Sequence, residues 1–186
     1  MHRRALIGIL AILPAVLACS ISLGGPAYPE PPVAVSTQEA AGLQTAFDSA
    51  LSSAAQTGTI TVEVTESQLT SYLAAQLAAE PNPPITNPQV TLRDGALRIF
   101  GTVQNGIFVS SVGLTAQCSV DQSGLPQINI TQAVYGPFPA PSEITDALGA
   151  LLREMLTGSF GPAAIGFRLE SITIADGRMT LTGRIK

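Results

Sequence analysis

Histidine and cysteine are almost missing from this 186-residue chain: it has one histidine, His2, two cysteines, Cys19 and Cys118, and no tryptophan. Zinc sites are built from several Cys and His ligands, and a Ser–His–Asp triad needs an imidazole. Neither can be assembled beyond the first residues of this sequence. Charge is sparse too, at 12% of residues, with nine Lys and Arg against thirteen Asp and Glu. Nucleic-acid binding rests on clustered basic contacts to phosphate, which a thin acidic surface does not offer. The sequence also has no Gly-x-Ser-x-Gly elbow, no P-loop and no Gly-x-Gly-x-x-Gly turn. These absences predict a chain that is not an enzyme and takes no metal or other cofactor.

What is present begins at the N-terminus. Arg3 and Arg4 precede an apolar run from Ala5 to Leu17, then Ala18-Cys19-Ser20. A positive start, a short apolar stretch and a small residue before a cut are the marks of an export signal. The run is shorter than the roughly 20 residues of a membrane-spanning helix. Val16-Leu17-Ala18-Cys19 resembles the lipobox after which a lipoprotein signal peptidase cuts, although Leu17 is bulkier than usual there. The alternative is an ordinary signal peptide with an incidental cysteine. The lipobox reading makes residues 1–18 a signal peptide and Cys19 the lipidated first residue, placing the domain at a cell membrane on the extracytoplasmic side. Loss of Arg3 and Arg4 leaves seven basic against thirteen acidic side chains, a formal charge of −6. Cys118 is then the sole cysteine besides the lipidated one, so no disulfide within the chain is expected.

Residues 19–35 carry Gly24, Gly25, Pro26, Pro29, Pro31 and Pro32, which reads as a tether able to reach roughly 50 Å at about 3.3 Å per residue. Residues 36–186 read as one domain. Ser36-Thr37-Gln38-Glu39 and Thr65-Glu66-Ser67-Gln68 are capping boxes, each opening a helical stripe: Leu43, Phe47 and Leu51 in the first, Leu69, Tyr72, Leu73 and Leu77 in the second. Between them Ile60, Val62 and Val64 alternate with Thr and Glu, a half-buried strand. Residues 81–88 hold four prolines and predict a loop. Asp94-Gly95 and Asp176-Gly177 lie between alternating apolar runs, the signal of tight hairpins. A turn is expected at Asn105-Gly106, then a long strand with Phe108, Val112, Leu114, Ala116, Cys118 and Val120 on one face. After a turn at Asp121–Gly124, Ile128, Ile130 and Val134 are expected on the inner face of the next strand. A third helix, with Ile144, Leu148, Leu151, Leu152 and Met155, is expected to stop at Gly158.

Residues 90–103 echo residues 172–185 at an offset of 82, including both Asp-Gly turns and Gly101 against Gly183. Each hairpin follows an amphipathic helix, so a helix–hairpin duplication and the chance similarity of two amphipathic hairpins both fit. Strands joined by hairpins, with helices flanking them, predict an α+β fold. The expected architecture is a curved antiparallel sheet of about six to seven strands wrapped on two to three helices.

The order of these elements resembles exported lipid-binding proteins of the LmeA and YpmS kinds, whose fold is similar to half of a tubular lipid-binding (TULIP-like) domain. Residues 64–69, 90–101, 136–144 and 172–183 carry the likeness. It implies an apolar groove between helices and sheet able to take acyl chains, and no catalytic residue. The groove would be lined by Leu69, Tyr72, Leu73, Leu77, Ile144, Leu148 and Leu152. The alternative is an assembly lipoprotein that binds another envelope protein through its Thr/Ser/Gln sheet face and holds no small ligand. Asp94 and Asp176 read as turn residues rather than an acid/base pair, and Asp121 as a turn residue rather than a calcium ligand. Cys118 reads as a small buried hydrophobe.

Overall fold

A computed structural model describes residues 20–157 and 167–185. The expected export signal, Cys19 and the expected helix stop at Gly158 lie outside the described residues. Among those described, three helices and nine strands form an α+β fold with a curved sheet of about six strands, as the sequence pattern predicts.

A short strand, β1 (Ile21–Ser22), is followed by α1 (Thr37–Thr57). Ser36 caps α1, its Oγ accepting from the Glu39 amide at 3.0 Å, and Gly58 closes it in the left-handed region at φ 72°. In β2 (Thr59–Thr65), Ile60, Val62 and Val64 are buried and the Thr/Glu face is exposed. The full capping box then opens α2 (Glu66–Ala79): Thr65 Oγ1 accepts from the Gln68 amide at 3.2 Å, and Gln68 Oε1 accepts from the Thr65 amide at 3.0 Å.

Strands β3 (Thr86–Arg93), β4 (Ala96–Asn105), β5 (Phe108–Val120), β6 (Pro126–Tyr135) and β7 (Phe138–Pro139) follow as an antiparallel meander, with β1 lying parallel to the start of β5. Helix α3 (Ser142–Thr157) leads to β8 (Phe167–Ala175) and β9 (Arg178–Ile185). These two strands join β2 in a second sheet, ordered β2-β9-β8. One core of buried side chains runs through both sheets and all three helices. Phe167 and Leu169, both 2% exposed, belong to it and alternate with exposed Arg168 and Glu170, and a register shift between Leu169 and Ser171 moves the inward phase to Ile172 and Ile174.

Both Asp-Gly turns form as expected, with Asp94 and Gly95 at φ 55° and 70°, and Asp176 and Gly177 at 51° and 77°. The other expected turn moves by one residue. Asn105 pairs with Phe108, so Gly106 and Ile107 form the loop, with φ 62° at Gly106. Phe108, expected on the same face as Val112 and Leu114, is 45% exposed at the start of its strand. The proline segment is also shorter than read. Strand β3 starts at Thr86, kinks where Asn87 takes φ 49°, and Ile85 is buried against Gly101, where a Cβ would lie 2.6 Å from Ile85 Cδ1.

A β-bulge changes the face of β6. Thr115 pairs with Gln132 and Ala116 with Ile130, leaving Thr131 unpaired. The extra residue reverses the alternation, so Ala133 and Tyr135 continue the inner face and Val134, expected there, turns outward beside Gly113.

Residues 20–35 do not extend freely as a spacer. Ile21 and Leu23 amides donate to the carbonyls of Ile107 and Val109 at 2.8 and 2.9 Å, filling the part of the β5 edge that β6 does not reach. Pro26 then covers Gly113, Tyr28 hydroxyl bonds Thr102 Oγ1 at 2.8 Å, and the Val33 amide donates to Gln89 Oε1 at 2.6 Å. The segment is a strap across the outer face of the sheet, held because its backbone groups find partners there.

Helix α2 closes the opposite edge. The Leu92 amide donates to Glu66 Oε1 at 2.7 Å and the Val90 amide to Thr70 Oγ1 at 2.9 Å. Four helical residues rise about 6 Å, close to the roughly 6.6 Å of two strand residues. Acceptors four apart on α2 therefore match donors two apart on β3. The expected duplication is not repeated in packing, since α2 lies on β3 whereas α3 lies on β6.

Candidate functional site

Inner-face residues of the large sheet line up in cross-strand rows. One row runs Leu92, Leu97, Ala116, Ile130, and the next runs Val90, Ile99, Leu114, Ala133. In each, the first three side chains are buried, at 1% exposure or less, and the last, on β6, is half-buried. Burial therefore fades toward β6, where Ile128, Ile130, Ala133 and Tyr135 are only partly covered. The strands near β3 are covered by the second sheet and by α2, itself packed on α1, whereas α3 is the helix over β6.

Two stripes on α3 explain the incomplete cover. Leu148 and Leu152, at 2% and 0% exposure, point into the closed core. Ile144, Ala147 and Leu151, at i, i+3 and i+7, form the neighbouring stripe and are half-buried. Gly149 lets the helix approach β6 closely, since a Cβ there would lie 3.1 Å from Ile130 Cδ1. The result is an apolar seam between α3 and β6 that the fold does not fully close.

The seven groove residues read from the sequence separate accordingly. Leu69, Leu73, Leu77, Leu148 and Leu152 are all 3% exposed or less and share the common core, while Tyr72 and Ile144 are half-buried at its margin. Of the seam residues on β6, Ile128 and Ile130 lie on the inner face as expected, whereas Ala133 and Tyr135 escape the sequence pattern because the bulge at Thr131 breaks the alternation that would mark them. A second opening, of about 460 Å³, lies beyond the end of α2, lined by Val35, Ala74, Leu77, Ala78, Pro83 and Pro88 with a few polar groups. Its size is that of a small-ligand site.

Turn geometry or burial accounts for each of the polar candidates. Asp121 Oδ1 accepts from the amides of Leu125 and Ser123 at 2.8 and 2.9 Å and from Ser123 Oγ at 2.8 Å. These hydrogen bonds, from Leu125 first, hold its carboxyl below the usual carboxylate range and account for it as a turn residue. Asp94 and Asp176 meet in one cleft with Glu66 and Arg93, each still in its own turn. Among the described residues no set of three His, Cys, Asp or Glu side chains is placed to hold a metal. Burial pushes the Cys118 thiol up to about 11, so it is a neutral part of the inner sheet face at neutral pH.

Residues 32–184 match the sequence model of a family described as LmeA-like phospholipid-binding. The chain belongs to the LmeA-like phospholipid-binding family. The match takes in both sheets, all three helices, the α3–β6 seam and the cleft at the end of α2, in agreement with the resemblance carried by the capped helix and the hairpins. Neither a curated protein nor a solved structure matches the chain. Among the described residues no helix is long and apolar enough to cross a membrane.

Proposed function

We propose that this family member binds a phospholipid whose acyl portion lies in the seam between α3 and β6, and that the protein is held at the extracytoplasmic side of a membrane through a lipidated Cys19. The observation that supports the binding site is the fading burial along the sheet rows. Ile128, Ile130, Ala133 and Tyr135 on β6 stay half-buried, and so do Ile144, Ala147 and Leu151 on α3, the helix that packs on β6. Acyl chains gain about 0.8 kcal/mol for each CH₂ they bury, so a part-covered apolar strip of this kind favours them. The family is a binding family, and the reading involves no chemistry on the lipid.

Native mass spectrometry of the domain after gentle extraction tests the binding: a phospholipid mass is expected on the protein. A domain that carries no lipid and takes up none from vesicles overturns the reading. The anchor is tested separately. Cys19→Ser should abolish lipoprotein processing and leave a retained precursor or an unlipidated soluble product. Normal processing with undiminished membrane retention overturns the anchor.

A further inference from the structure

Among the described residues, exposed large apolar side chains concentrate at one end of the large sheet, where five of the seven lie, with Leu125 at the other end and Val35 on the strap. One end carries the turns with Asp94, Arg98 and Asp121. The other carries the Gly106-Ile107 turn, the β6–β7 turn and β1. Residues 20–29, 101–113 and 132–142, which build that second end of the sheet, contain no charged side chain in a chain whose acidic residues outnumber its basic ones. It does carry exposed large apolar residues: Ile21, Leu23, Ile107, Phe108 and Phe138, with Phe138 66% and Ile107 56% exposed. Strand pairing gathers them, since Ile21 is registered with Phe108, its amide bonds the Ile107 carbonyl, and Phe138 is paired with Tyr135.

We infer that this uncharged end is a membrane-docking surface, seated in the headgroup region of the bilayer with Phe108 and Phe138 as its apolar contacts. The inference rests on the proposed Cys19 anchor. Consecutive Cα atoms are 3.8 Å apart, so an acylated Cys19 enters the bilayer within about 8 Å of Ile21, and Ile21 is fixed to the sheet beside Phe108. The strap therefore lashes the anchor to this end instead of letting the domain swing. A charged end held so close would have to shed hydration, at a large cost. The strands and turns of this end carry no charge to desolvate, the nearest acidic residues along the chain being Glu30 and Glu143, and they expose apolar surface that gains by leaving water. Tyr135, the last inner-face residue of β6, pairs with Phe138, so the seam proposed for the acyl chain opens toward the same end. Lipid would then pass between bilayer and seam without crossing the charged half of the molecule.

The chain has no tryptophan, so single Phe108→Trp and Phe138→Trp variants report their own surroundings, with Gln122→Trp at the charged end as control. The lipidated proteins are reconstituted into phosphatidylcholine/phosphatidylglycerol vesicles with brominated acyl chains, and acylation of Cys19 is read from the protein mass. Docking predicts blue-shifted emission and strong bromine quenching at positions 108 and 138, with neither at 122. Equal quenching at all three positions in acylated protein overturns the docking surface while leaving the anchor intact. If the mass shows no acylation, the anchor fails independently. The Cys19→Ser forms at high vesicle concentration then decide docking alone: quenching at 108 and 138 above that at 122 supports it, and its absence overturns it. A blue shift without vesicles that grows with protein concentration assigns the surface to a second copy of the chain and also overturns it.

Discussion

The Gly177 amide donates to the Leu92 carbonyl at 2.9 Å, so the turn of one hairpin is hydrogen-bonded to the edge strand of the other. Glu66 completes the junction: its amide donates to the Gly177 carbonyl at 3.2 Å while its Oε1 accepts from the Leu92 amide at 2.7 Å. Three elements distant in sequence are thus fastened at the start of α2, and each supplies a group another would otherwise leave unpaired. An exposed sheet edge is a site of unwanted pairing, and here it is closed by side chains instead of by another strand.

Removing the acceptors on α2 should therefore weaken the fold. Thr70→Val leaves the buried Val90 amide unpaired, and Glu66→Ala does the same to Leu92, each costing about 1–3 kcal/mol. Glu66→Gln keeps an acceptor oxygen and should cost less than Glu66→Ala. Urea unfolding of the four proteins measures this order. Equal stability of the Ala and Gln variants would show that the Glu66–Leu92 bond contributes little.

The Asp-Gly turns should tolerate change at the aspartate and not at the glycine. Gly95→Val and Gly177→Val place a β-branched residue at φ 70° and 77° and should lower the melting temperature clearly. Asp94→Asn and Asp176→Asn should be nearly neutral, because asparagine also accepts positive φ. The lost Asp94–Arg98 pair, 3.4 Å long and largely exposed, matters little. If either Asn variant lost lipid binding with unchanged stability, the aspartate would have a role beyond the turn.

Cys118 gives a pH signature whose sign follows from its burial. Its thiol titrates near 11 in the folded chain against an ordinary 9.0. Below pH 9 both folded and unfolded thiols are protonated and stability is unaffected. From pH 9 to 11 the unfolded thiol ionises first, so stability falls by up to about 2–3 kcal/mol. Cys118→Ala, compared in a Cys19→Ser background, should remove that part of the alkaline loss. Alkylation of native Cys118 should stay slow up to pH 9. Rapid labelling at pH 7 would show an exposed, reactive thiol instead.

Bulk added in the seam separates an open site from a filled core. Ala147→Phe should reduce the phospholipid recovered per protein with little change in melting temperature, whereas Ala74→Trp, which fills the cleft beyond α2, should leave it unchanged. A lowered melting temperature in Ala147→Phe, equivalent to 1–3 kcal/mol of overpacking, with lipid unchanged, would show the seam to be closed. Loss of lipid in Ala74→Trp alone would move the site to the end of α2.

What the sequence determined by itself was local. Ser36 and Thr65 cap helices, Asp94-Gly95 and Asp176-Gly177 turn, and Ile60, Val62 and Val64 face inward, because each outcome depends on atoms a few residues away. The echo matched Gly101 with Gly183, and the fold makes both points of close approach, where Ile85 and the Arg168 backbone fill the space a side chain would have needed. Tertiary structure decided the rest. A single unpaired residue, Thr131, reversed the face of β6, which no alternation pattern can show because a bulge arises from pairing with β5. The edge of β5 left open by β6 turned a proline-rich tether into a strap, since unpaired backbone groups bind whatever chain can reach them. The placement of α3 on β6, away from its own hairpin, decided which apolar side chains are sealed in the core and which line a seam. Apolar periodicity marks the side chains that leave water; how completely they do so depends on what packs against them.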